Sequence, residues 1–143
     1  MTSLVLDASV AVKWVIPAAQ ESFTHESLQL LKRHMDGDIR FVVPDVFWAE
    51  VGSVLWKGVR RKRWNQSVAR VGLAEIIKRN FLTFSSLELL PEALILALAY
   101  ERSIYDCIYV ALAIQFRTEM ITADERLANA LAARLPVKWL GAF

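Results

Sequence analysis

Short apolar runs alternate along the chain with longer segments whose apolar residues recur every three or four positions. Leu4, Val5 and Leu6 form one run ending at Asp7; Phe41, Val42 and Val43 form another ending at Pro44, which cannot continue a ladder of hydrogen bonds. Both predict buried strands. Between them, Leu28, Leu30 and Leu31 lie in a polar stretch over 21–36 closed by Gly37, which predicts a helix with a glycine stop. Phe47, Val51, Val54 and Leu55 then recur at helical spacing and run into a cationic cluster suited to a helix C-terminus, so a helix is predicted over 46–60. Asn65 can cap a further helix carrying Val68, Val71, Leu73, Ile76 and Ile77, and 81–84 reads as a brief strand. Pro91 is expected to open an apolar helix running to about residue 102, and Ser103 to begin the next, with Ile104, Ile108, Ala111 and Leu112 on one face. Strands at 120–122 and 137–140 enclose a helix over 125–133, and a short helix can start at Ser9. Apolar strands separated by helices predict an α/β fold: a three-layer sandwich with a central parallel sheet flanked by helices. At 143 residues this is expected to be a single domain over 1–143.

Composition narrows the classes. With 55% hydrophobic and 22% charged residues, 5 Gly, 4 Pro and a mean hydropathy of +0.33, the chain is expected to be a well-filled globule rather than disordered. Its longest apolar runs, 93–100 and 107–114, fall short of the roughly 18–20 residues that cross a bilayer, so no membrane association is expected. The first residues carry no basic lead-in, and Asp7 and Lys13 interrupt their apolar stretch, which predicts a cytoplasmic protein. Cys107 is the only cysteine, leaving oxygens and the two histidines as metal ligands. His25 and His34, nine positions apart on one helix, are poorly spaced for metal and are expected at the surface. Cys107 reads as a small packing residue.

Net charge is only +2, so the placement of charge matters more than its sum. Asp7 ends one strand, and Asp124 lies two residues past Thr122 at the end of another; ligands of open parallel sheets bind beyond such ends. Each acid also has a plainer reading. Asp7 can cap a short helix, Ser103 to Asp106 fits a capping box, and Thr122 to Glu125 fits another in which Asp124 complements the helix dipole. Glu50 is harder to place, because it shares a helix face with Val46 and Val54 and has no lysine or arginine at an adjacent turn. A buried carboxylate needs a partner. If Asp7, Glu50, Asp106 and Asp124 converge, their mutual repulsion calls for a cation, and Mg²⁺ or Mn²⁺ held by carboxylates and waters suits phosphodiester chemistry.

The segments LVLDASVAVKW, VPDVFWAEVGSVLWK, SIYDCIYVALA and ITADERLANAL, in that order, resemble the PIN-domain ribonucleases, and among them the VapC toxins of toxin–antitoxin pairs. The resemblance runs nearly end to end. It implies an acidic site at Asp7, Glu50, Asp106 and Asp124, with Asp7, Asp106 and Asp124 as metal ligands and Ser9 and Thr122 as supporting hydroxyls. Glu50 would bind a second ion or orient water. The implied activity is Mg²⁺- or Mn²⁺-dependent endoribonuclease cleavage by water, leaving 5′-phosphates; the implied partners are an RNA substrate, a VapB-like antitoxin and a second copy in a homodimer.

Lys57, Arg60, Arg61, Lys62 and Arg63 are candidates for gripping an RNA backbone, against the plainer role of a solvated helix end. Trp14, Trp48, Trp56 and Trp64 are expected in the core unless some form an exposed anchor for an antitoxin or second subunit. Three other functions compete. A haloacid-dehalogenase-type phosphatase needs an acid two residues after the strand-end Asp, where Ser9 stands. A phospho-receiver domain needs an acidic pair near its first strand and a late lysine, and neither is evident. A non-catalytic PIN-like binding module has no need of all four acids.

Overall fold

The computed structural model of the chain describes residues 2–143. The elements are β1 (Thr2–Leu6), α1 (Ala8–Ala11), α2 (Thr24–Met35), β2 (Ile39–Pro44), α3 (Val46–Arg60), α4 (Gln66–Lys78), β3 (Leu82–Phe84), α5 (Ser86–Tyr100), α6 (Ile104–Gln115), β4 (Met120–Thr122), α7 (Glu125–Leu131) and β5 (Val137–Trp139). Short 3₁₀ turns follow α1 and β5. All strand pairs are parallel, in the order β3-β2-β1-β4-β5. Among the described residues seven helices flank this sheet, so the predicted α/β sandwich is the observed architecture.

The order of the strands places the site. From β1 the chain steps outward to β2 and β3, then returns through α5 and α6 to lay β4 on the other side of β1. The strand order therefore reverses at β1, and the crevice beyond its carboxyl end is where such a sheet binds ligands. Val5 and Leu6 are fully buried between β2 and β4, as are Phe41, Val42 and Val43 of β2. Burial on both faces explains why these strands read as continuous apolar runs. In α6, Cys107 to Ala113 are buried without a break, so this helix is apolar all round because it runs through the core.

Caps account for most boundaries. Asn65 Oδ1 accepts the Val68 N–H at 2.9 Å and starts α4 as expected, and Gly37, with φ of 84°, ends α2. Four expectations need correction. Pro91 does not open α5, which begins five residues earlier at Ser86 behind the N-cap Ser85. The ring removes one helical hydrogen bond, whose acceptor belongs to Leu87 on a solvent-facing turn, so the carbonyl it leaves is open to water. Helix α7 stops at Leu131, and β5 stops at Trp139 because Leu140 turns inward, fully buried, at the head of a 3₁₀ turn. His34 is not a free surface residue: its ring stacks on Phe41 at 4.9 Å and meets Phe81 edge-on at 5.4 Å. Among the described residues no helix is long and apolar enough to cross a membrane.

Candidate active site

Asp7 sits where β1 gives way to α1. It occupies the N-cap position of α1, yet makes no side-chain capping bond. Its Oδ2 instead accepts two hydroxyls, from Ser9 Oγ at 2.6 Å and Thr122 Oγ1 at 2.8 Å. Those hydroxyls are themselves held by the turn after β4: the Ala123 N–H donates to Ser9 Oγ at 3.0 Å, and the Asp124 N–H donates to Thr122 Oγ1 at 3.1 Å. Each hydroxyl thus accepts from the backbone and donates to one carboxylate oxygen, which fixes the carboxylate against rotation. Thr122, fully buried, is not the first residue of a capping box; Asp124 caps α7 itself, its Oδ1 accepting the Leu127 N–H at 3.1 Å. The threonine is spent on Asp7 because the β1–β4 pairing brings the two strand ends together.

Asp106 enters from the first turn of α6, where Ser103 Oγ accepts its N–H at 3.1 Å as a cap. Glu50 enters from the second turn of α3. Its Oε1 is buried with no hydrogen-bond partner of good geometry among the described residues, and the buried hydroxyl of Tyr109 faces the carboxyl from α6, close enough to interact with it. Sequence reasoning missed Tyr109. The available signal was its place three residues after Asp106, on the same side of a helix that otherwise carries only apolar residues there.

The four acids feel one another. Burial raises the Asp7 carboxyl above its usual range, against the lowering effect of the Ser9 and Thr122 hydroxyls, and Asp106 raises it further. Burial likewise pushes Glu50 up to about 7, helped by Asp7 and Asp106 and opposed by the Tyr109 hydroxyl and Lys57. Asp106 is raised by burial and by Asp124, with the Ser103 hydroxyl and Arg102 pulling down. Charge is therefore expensive here for a folded chain without a cation. Among the described residues, no three acidic, histidine or cysteine side chains close into a ready-made ligand cage.

A profile of the PIN domain matches residues 4–131, a span that contains all four acids. The chain belongs to the PIN domain family. PIN domains are in general nucleases that use divalent metal ions, and the haloacid-dehalogenase and phospho-receiver alternatives fall away with that assignment. The comparison with curated proteins returned no match. Among solved structures, this PIN domain is similar to PAE2754 from Pyrobaculum aerophilum, with 18% identity and a TM-score of 0.67 over 99% of this chain and 85% of that one. It is also similar to VapBC2 from Rickettsia felis bound to a DNA fragment from their promoter, with 12% identity and a TM-score of 0.60 over 96% and 98%. At such identities the likeness is one of fold.

The remaining candidates of this PIN domain are dispersed. Arg60 lies over the Trp56 ring at 5.2 Å, on a groove between α3 and α4, whereas Lys57, Arg61 and Arg63 line a separate concavity and Lys62 lines neither. The tryptophans do not form one exposed set: Trp64 is buried, Trp14 and Trp48 are half-buried, and Trp56 alone of the four is exposed. Each of these three buried or half-buried rings carries an N–H that has found an acceptor within the chain, Ser27 O for Trp14, Thr83 Oγ1 for Trp48 and Leu55 O for Trp64.

A pH dependence follows from Glu50. A carboxyl raised on folding binds its proton more tightly in the native state, so its contribution is fully present below about pH 4.5 and is lost as pH rises through about 7. Glu50→Gln should therefore match the parent at pH 4.5 in chelator and exceed it at pH 8, by about 1–2 kcal/mol once the shift is discounted for solvent screening. Urea melts at the two pH values check this; equal stabilities at pH 8 would contradict it.

Proposed function

We propose that the chain is a metal-dependent endoribonuclease, the VapC-type toxin of a toxin–antitoxin pair. The observation that carries this reading is the convergence, at the point where strand order reverses, of a carboxylate fixed by two hydroxyls with a second carboxylate whose buried Oε1 lacks a well-formed hydrogen bond. An all-oxygen donor set without a closed cage fits Mg²⁺ or Mn²⁺, which keep several waters and take one or two carboxylates directly. Asp7, Asp106 and Asp124 would hold the ion. When bound, it supplies Lewis-acid polarisation of the phosphodiester and a lowered pKa for water. The protein's own groups do the rest: Ser9 and Thr122 hold the Asp7 carboxylate in one orientation, and Glu50 orients the attacking water through Oε1. In-line attack leaves a 5′-phosphate and a 3′-hydroxyl and makes no use of the RNA 2′-OH.

The test is cleavage of structured RNA with Mg²⁺ or Mn²⁺, stopped by EDTA and yielding ends that a 5′-phosphate-dependent exonuclease digests. Metal-independent products, or 2′,3′-cyclic phosphate ends, would overturn it. A chain that binds RNA without cutting it under any metal would instead be the non-catalytic module.

A VapB-like antitoxin is the expected partner, one of whose apolar segments fits the groove lined by Gly52, Leu55, Trp56, Val59 and Leu73. The second copy belongs elsewhere. Leu87, Leu94, Ile95 and Leu98 of α5 are 75%, 53%, 62% and 74% exposed, and Tyr105 beside them is 58% exposed. So many large apolar side chains left bare on one helix and its neighbour are what an interface core presents. Leu94→Asp with Leu98→Asp should convert a dimer to a monomer at micromolar concentration in analytical ultracentrifugation while leaving the fold intact. A parent chain that is already monomeric there would refute the assignment of this face.

A further inference from the structure

The basic run after α3 contains a built pocket. Trp64 lies flat on the α3 backbone at Gly58, where a Cβ would stand 1.9 Å from its ring, and its Nε1 donates to Leu55 O at 3.0 Å. The turn that brings it back is tight: the Arg61 N–H donates to Lys57 O at 2.9 Å, the Arg63 N–H to Gly58 O at 2.8 Å, and Lys62 takes a left-handed φ of 58°. Lys62 thereby turns the chain so that Arg61 and Arg63 both face a concavity of about 190 Å³, bounded also by Lys57, Val54, Gly58 and Trp64. That volume accommodates a phosphate group with a few waters, each of which occupies about 30 Å³.

The charges in the pocket are unequal. Arg63 Nη2 is paired with Glu21 Oε2 at 2.7 Å and its guanidinium lies over the Trp64 ring at 5.2 Å, so it is a fixed wall. Lys57 and Arg61 are exposed and have no ion pair among the described residues. A helix C-terminus attracts cations in any case, but here the carbonyls of Lys57, Gly58 and Val59 are already taken by the N–H groups of the turn.

The pocket is in line with the acids. Glu50, Val54, Lys57 and Arg61 are spaced by four, three and four positions, one face of a single helix. At 1.5 Å per residue, Lys57 is about 10 Å and Arg61 about 16 Å along α3 from Glu50.

We infer that Lys57 and Arg61, against the wall made by Arg63 and Trp64, form a phosphate subsite that holds the backbone of a single-stranded RNA a few nucleotides from the phosphodiester cut at the acids. The inference rests on the nuclease reading and adds to it the path of the strand along α3. The subsite reads no base; it sets which phosphate reaches Asp7 and Glu50.

The experiment is RNA binding by the Asp7→Asn chain, which removes cleavage, measured by fluorescence anisotropy with a labelled single-stranded RNA across a salt series. Adding Lys57→Gln and Arg61→Gln should weaken binding at least tenfold at low salt and flatten the plot of log affinity against log salt by about 1.4, the value for two contacts to a single strand. Lys32→Gln with Lys78→Gln removes the same charge from the exposed ends of α2 and α4 and should leave both readings unchanged. In the cleaving parent, the Lys57/Arg61 pair of substitutions should raise KM with little change in kcat. An unchanged slope with Lys57 and Arg61 replaced would overturn the subsite alone, as would equal losses in the two double variants, which would mean diffuse surface charge. Failure of the Asp7→Asn chain to bind any RNA would overturn the nuclease reading and the subsite together.

Discussion

Asp7→Asn is expected to lower metal-dependent RNA cleavage by three orders of magnitude or more, the largest effect of any single substitution in this chain. The amide keeps the shape and can still accept from Ser9 and Thr122, so the loss isolates the charge. Polarisation of the phosphodiester and activation of water each account for several kcal/mol of barrier lowering in metal-assisted hydrolysis, and both depend on the ligand's negative charge. Without metal, the same substitution should leave stability unchanged or higher, because it removes a buried charge that Asp106 opposes. Opposite signs for activity and stability distinguish a site from a structural carboxylate. Ser9→Ala and Thr122→Val, which remove orientation and not charge, should cost about 10–100-fold each. Calorimetry with Mn²⁺ completes the test, since binding should be lost in Asp7→Asn and in Asp106→Asn. Cleavage by Asp7→Asn at the parent rate would return this acid to a purely structural role.

The second large effect is on stability. Gly58→Ala should destabilise the fold by about 3 kcal/mol, at the upper end for overpacking, because the new Cβ would stand 1.9 Å from Trp64 Cζ2 and 2.0 Å from Cε2. Neither side can yield: one is helix backbone, and the other is a buried indole tied to Leu55 O. Relief requires the ring to lift, which gives up its hydrogen bond and exposes apolar area. Gly52→Ala, two turns earlier in the same helix, meets nothing within 4 Å and should stabilise by about 0.5–1 kcal/mol through helix propensity. Thermal melts of the two variants should move in opposite directions. A shared direction would show that propensity, not contact with Trp64, governs position 58.

Much of the fold was legible in the sequence because its signals are local. The 46–60 helix was bounded by Pro44 on one side and a cationic end on the other, and Asn65 announced the next helix; both depend on neighbours a few residues away. The parallel sheet was legible for a related reason, since strands buried on both faces need no polar alternation. Pro91 misled because the cost of a proline depends on whether water can reach the carbonyl it abandons, which local sequence does not state.

The acids show where local signals end. Asp7, Asp106 and Asp124 each matched a capping pattern, and a pattern alone does not say which oxygen caps and which faces a site. Asp124 does cap; Asp7 does not, because Thr122, 115 positions away, claims its Oδ2. Likewise, the basic run and the tryptophans read as sets until the turn at Lys62 divided them. By itself the sequence determined the elements, their layer arrangement and a short roster of residues able to do chemistry, since periodicity, caps and turn residues act over a few positions. Only the tertiary structure decided which of those residues meet, because strand pairing joins positions distant in the chain and burial then makes an unpaired carboxylate costly.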